Sequence, residues 1–133
     1  SVNNFRKKIK DLTKRNWGVS TSYRIEKLNE KIRGWVNYFR ITKMKTILEK
    51  MDSNMRVRLR MCIWKQWKTP KNRRKHLRKL GMSKNDAYKN SYSSKSIARI
   101  AYSWVLTTTL TNEQIASQGL LFARSYYQTK HVL

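Results

Sequence analysis

The chain has 133 residues, with 31 Lys and Arg against 7 Asp and Glu, for a formal net charge of +24 at pH 7. Five Trp, seven Tyr and a 39% apolar content exclude a disordered basic tail, which would be poor in aromatics and long aliphatics. So large an excess charge repels itself in a compact state, so an anionic partner is implied, nucleic acid before a membrane surface; no charge-free apolar run of spanning length and no signal-peptide core occurs.

Gly and Pro are scarce and the apolar residues recur at threes and fours, so the expected class is all-α. Residues 3 to 16 predict a first helix with Phe5, Ile9 and Leu12 on one side, stopping near Asn16-Trp17-Gly18, where Gly can take the left-handed conformation. Ser20, Thr21 and Ser22 supply acceptors for a second start. Ile25, Leu28, Ile32, Trp35, Val36 and Phe39 then mark an amphipathic helix of about five turns. A third helix is expected from about Lys43 to Lys68, with Met44, Leu48, Met51, Met55, Leu59 and Cys62 as its buried stripe. Pro70 ends it, because Pro cannot continue a helix interior and biases Thr69 away from helical angles.

A very basic short helix is expected from Lys71 to Leu80, stopped by Gly81, and Ser83 with Asp86 resembles a capping box that opens the next. The polar run from Ser91 to Ser96 reads as a loop before a small helix from Ile97 to Trp104. Thr111 with Gln114 looks like another capping box, Gly119 ends that turn, and Leu120 to Tyr127 predict a terminal helix.

The charge is uneven. Residues 53 to 85 hold twelve Lys or Arg and no acid. In projection, Arg56, Arg60, Trp64 and Trp67 share a side of the third helix away from the Met/Leu stripe, so guanidinium groups and indoles would alternate there. Arg pairs with phosphate and an exposed indole can stack on an unpaired base; the competing reading is that Trp64 and Trp67 pack against the first two helices. Lys71, Arg73, Arg74, Lys75, Arg78 and Lys79 crowd ten residues, where like charges repel unless a phosphate backbone neutralises them. His76 has no companion ligand and reads as an RNA-facing or surface residue.

Catalytic signals are poor. The carboxylates are scattered, no Gly-rich phosphate loop occurs, and no paired acids mark a two-metal site. Glu49 and Asp52 read as partial compensation of nearby cations. Cys62 has no partner for a disulfide or a zinc site and reads as a small buried apolar residue.

Three segments carry a resemblance: Arg33-Gly34-Trp35-Val36-Asn37-Tyr38-Phe39, the run from Leu59 to Lys68, and Leu110-Thr111-Asn112-Glu113 followed by Gln118-Gly119-Leu120. In this order they resemble the intron-encoded reverse transcriptases of bacterial group II introns, in their thumb and maturase-specific X region. The resemblance implies a thumb-like three-helix bundle over 1–68 and a basic helical maturase-specific region over 69–133. It implies binding of the parent intron RNA to stabilise its splicing-active fold, and support of template and primer, as RNA or RNA/DNA hybrid, in reverse transcription and retrohoming. Target DNA is a further possible partner. The family's Tyr-x-Asp-Asp palm motif is absent, so no catalytic residue and no cofactor is expected in this chain. Mg2+ belongs to the palm, expected in the same parent polypeptide, and to the intron RNA. With Leu133 as the native end, the chain is expected to resemble the shorter members, which lack a Cys-bearing endonuclease segment. A bacterial cytoplasmic location follows from the resemblance.

The residues expected to meet RNA are Arg33, Arg56, Arg58, Arg60, Trp64, Lys65, Lys68, Lys71, Arg73, Arg74, Lys75, His76, Arg78 and Lys79. The alternatives are a general polyanion-binding structural protein, ribosomal-like or DNA-binding, and a thumb fragment retaining polymerase activity, which lacks any means of holding metals.

Overall fold

A computed structural model describes residues 2–38 and 45–131. The expected places of Phe39 on the second helix and of Lys43 and Met44 at the start of the third lie outside the described residues. Nine helices and no strand occur among the described residues, in agreement with the all-α expectation. They are α1 (Val2–Leu12), α2 (Thr21–Tyr38), α3 (Lys45–Trp67), α4 (Pro70–Lys79), α5 (Lys84–Ser91), α6 (Ile97–Tyr102), α7 (Trp104–Thr107), α8 (Asn112–Ser117) and α9 (Ala123–His131).

The central element is α3, against which α1, α4, α6 and α9 all pack, while α2 lies against α1 and α9. Its Met/Leu stripe is buried as the spacing predicts: Leu48, Met51, Met55, Leu59 and Cys62. The opposite side is buried too, by Asp52, Arg60, Ile63, Trp64 and Trp67. Polar residues such as Lys50, Ser53, Asn54 and Lys65 keep a solvated strip on α3, whereas the buried Arg60 must find protein acceptors.

The first helix stops at Leu12, the last residue of its apolar spacing, and not near the expected end at residue 16, and Gly18 is not among the glycines with positive φ. Other groups satisfy the terminal carbonyls. Thr13 Oγ1 donates to Ile9 O at 2.8 Å, and Arg24 donates to the carbonyls of Leu12, Lys14 and Trp17 at 2.7 to 3.0 Å. From α3, Arg58 reaches Lys10 O and Thr13 Oγ1, Cys62 Sγ reaches Thr13 O, and Lys65 reaches Arg15 O. Cations at a helix C-terminus also meet the negative end of its dipole.

Ser20, Thr69, Ser83, Ser96 and Thr111 each accept a backbone N–H three residues on, at the starts of α2, α4, α5, α6 and α8. Pro70 stands in the first turn of α4, where its missing N–H costs nothing. Between α4 and α5, Gly81 adopts φ +100° and the N–H of Met82 reaches back to Leu77 O, a Schellman-type stop that folds the two helices against each other. The helix expected from Ile97 to Trp104 is divided at Ser103, whose backbone is extended and which precedes α7.

The C-terminal part is tied back to α2 and α3 through side chains. Asn29 donates to Gly119 O and accepts from the N–H of Leu121, both at 2.8 Å. The buried Asp52 carboxylate accepts from Ala123 N at 2.6 Å and Arg124 N at 3.0 Å, capping α9 from another helix. Glu49 pairs with Arg124 at 2.7 Å. The two acids of α3 thus anchor α9.

Candidate nucleic-acid interface

The structure divides the expected RNA-contacting residues into two groups. In the first, the side chains are engaged by other parts of the protein. Arg60 is 6% exposed; its Nε donates to Leu110 O at 2.7 Å and its Nη2 to Asn112 Oδ1 at 3.0 Å. Burial, with Arg56 nearby, lowers its pKa from the usual guanidinium value. Trp64 is 2% exposed, and Arg73 lies 4.3 Å over its ring while donating through Nε and Nη2 to Trp64 O. Arg58 holds the end of α1, and Arg56 lies 4.8 Å over the Phe122 ring.

The expected surface of alternating guanidinium groups and indoles on α3 is therefore corrected. Trp64 and Trp67 are buried, and Arg60 and Trp64 cannot reach an RNA base or phosphate without unpacking. The reason is that Arg73 and His76 of α4 lie against Trp64 and Trp67, and the Leu110–Asn112 segment takes the Arg60 guanidinium. A projection of one helix shows which residues share a side but not whether another helix covers it.

His76 is half-buried on α4. Its ring is parallel to that of Trp67, with centroids 4.7 Å apart and planes 2° off. Burial, then Lys79 and Lys75, lowers its pKa below the usual imidazole value. Among the described residues no group of three His, Cys, Asp or Glu could hold a metal ion, and no helix is long and apolar enough to cross a membrane.

The second group is open. Lys65, Lys68, Lys71, Lys75, Arg78 and Lys79 are exposed, as is Arg33 on α2. On α4, residues 71, 74, 75 and 78 follow helical spacing, so they share one face. That face, with Thr69, Asn72 and Lys84, lines an open groove of about 760 Å³ in which no carboxylate takes part. Arg78 Nη1 also donates to Met82 O at 2.9 Å, which fixes its side chain beside the α4–α5 turn. Arg74 is half-buried, its guanidinium 5.3 Å from the centroid of Tyr88.

Two features escape a reading of charge alone. Arg24, buried at the end of α1, is structural, and among the described residues the exposed aromatic groups are Tyr23, Tyr88, Tyr92, Tyr102 and Trp104, not the indoles of α3. The available signal for Tyr88 and Tyr92 was their spacing of four at the end of a short helix, Tyr92 being its C-cap, whose small residues, Ala87 and Ser91, face inward.

This all-α scaffold carries an acid-free basic groove on the face of α4. The family model of the group II intron maturase-specific domain matches residues 2–81, and the chain belongs to that family. The matched span runs from α1 to the Gly81 turn and so lies across residues 68 and 69. The domain is maturase-specific and not catalytic. No curated protein matches the chain.

Proposed function

We propose that this maturase-specific domain binds the RNA of its parent group II intron and stabilises the RNA's splicing-active fold. The observation that carries the reading is the acid-free groove along α4, lined by Lys71, Arg74, Lys75, Arg78 and Lys84 in a member of a splicing-associated family. Phosphates supply the missing counter-charge, and Arg and Lys donors on one helix face can follow a strand's backbone. The splicing chemistry belongs to the RNA.

The order of the three sequence segments supports a finer reading: the chain is part of a reverse transcriptase whose fingers and palm lie in the same parent polypeptide. The domain then also steadies template and primer during reverse transcription and retrohoming, in a bacterial cytoplasm. Its test is the reading frame upstream of Ser1, where a palm with paired aspartates is expected.

For RNA binding, the test is filter binding across a salt series with intron RNA, an unrelated RNA and duplex DNA. Lys71→Gln, Lys75→Gln, Arg78→Gln and Lys84→Gln combined should weaken binding and flatten the log-affinity against log-salt slope by about 0.7 to 0.9 for each phosphate that is no longer neutralised. An unchanged slope overturns the assignment of the groove. Equal affinity for duplex DNA and intron RNA would favour a general polyanion binder instead.

A further inference from the structure

Beside the basic groove stand two aromatic rings with no evident packing role. Tyr88 and Tyr92 are 56% and 58% exposed, although burial is the usual fate of rings that stabilise a small core. The inward side of α5 is made by Ala87 and Ser91. The two rings meet edge to face, with centroids 5.3 Å apart and planes at 61°, so they form one ridge. Arg74 joins this ridge to the groove, because its guanidinium lies against Tyr88 while its side chain lines the groove. A cation that meets phosphate and a ring that meets a base are thus in contact with each other.

We infer that Tyr88 and Tyr92 form a stacking platform for unpaired bases of an RNA strand whose phosphates run along the α4 groove. The inference rests on the RNA-binding reading and deepens it by naming single-stranded RNA as the form bound here. Charge favours this occupant over an apolar protein segment: Lys84 and Lys89 flank the rings on α5, and Lys95 follows in the loop. Asp86, in the first turn, is the lone acid of α5. An exposed ring can stack only on a base that has left its own helix, so paired RNA would gain from the groove and not from the ridge. Both tyrosines lie beyond the residues matched by the family model.

The test uses the full chain with a single-stranded RNA oligonucleotide carrying 2-aminopurine and with a hairpin duplex of the same length. Tyr88→Ala and Tyr92→Ala should each weaken single-strand binding about tenfold and reduce the change in 2-aminopurine fluorescence, with duplex binding unchanged. Tyr88→Phe and Tyr92→Phe should behave as the parent, because the ring and not the hydroxyl does the stacking. Alanine variants that bind the single strand as tightly as the parent would overturn the inference, as would phenylalanine variants as weak as the alanine ones. The quadruple glutamine variant keeps the two readings apart: if it binds both RNAs normally the groove assignment fails, whereas a selective tyrosine failure leaves the groove intact.

Discussion

Arg60 shows how a guanidinium is accommodated where carboxylates are scarce. Its donors go to a backbone carbonyl and an amide oxygen, so it joins α3 to the Leu110-Thr111-Asn112 turn without an ion pair. Arg24, Arg58 and Arg73 use carbonyls in the same way, which leaves their positive charge uncompensated even where the hydrogen bonding is satisfied. Replacing Arg60 by Met should cost about 2 to 3 kcal/mol in urea unfolding, since one buried and one part-buried charge-assisted hydrogen bond disappear and Leu110 O is left bare. RNA affinity of the folded fraction should not change, because Arg60 cannot reach solvent. His76 makes a second residue-scale prediction. Its folded pKa lies below the unfolded value of 6.5, so the unfolded chain takes up the proton first and stability falls as pH drops through and below that value. His76→Phe, which keeps a ring against Trp67, should flatten the melting temperature between about pH 5.5 and 7. The window stops there because Asp52, whose pKa burial raises, acts with the opposite sign in the carboxylate range.

At the scale of elements, the breaks between helices are set by particular backbone conformations. Lys68 sits between α3 and α4 with φ +70°, the one described non-glycine residue at positive φ. A side chain there costs about 1 to 2 kcal/mol, so Lys68→Gly should raise the melting temperature despite the added freedom of the unfolded chain. Gly81→Ala, at φ +100° in the α4–α5 turn, should lower it by a comparable free energy, about 1 kcal/mol. Circular dichroism melts of the two variants should therefore move in opposite directions. Most of these boundaries were legible in the sequence, because Pro70, Ser83, Thr111, Gly81 and Gly119 act through neighbours within a few residues. The end of α1 and the division at Ser103 were not. The carbonyls near Leu12 are satisfied by Arg24 and Arg58, which are distant in sequence and give no local sign of that role. The site was legible to the same extent. Lys71, Lys75, Arg78 and Lys79 are exposed on their own short helix, whereas the fate of Arg60, Trp64, Trp67 and Arg73 depended on how α3 is covered, and nothing in the residues of α3 specifies that.

For the whole molecule, the charge acts on folding and on binding with opposite signs. Among the described residues the ion pairs are Lys14 with Asp11, Lys27 with Glu30 and Arg124 with Glu49, so most of the +24 charge has no acidic partner within the fold. Bringing those cations into a compact volume is opposed by self-repulsion, and added salt screens it over a Debye length that shrinks to about 8 Å near 0.15 M. Raising NaCl from about 0.05 to 0.5 M should therefore increase the melting temperature of the free protein. The same salt should weaken RNA binding steeply, because each neutralised phosphate releases counterions into a solution that already holds more of them. Bound RNA stabilises the folded chain by mass action, by about 2.7 kcal/mol at a concentration one hundred times Kd. Thermal melts with RNA present should start far above those of the free chain at low salt and converge on them as salt rises. If the curves stay parallel across the salt series, the stabilising interactions are not electrostatic and the open cations of α4 are not their source.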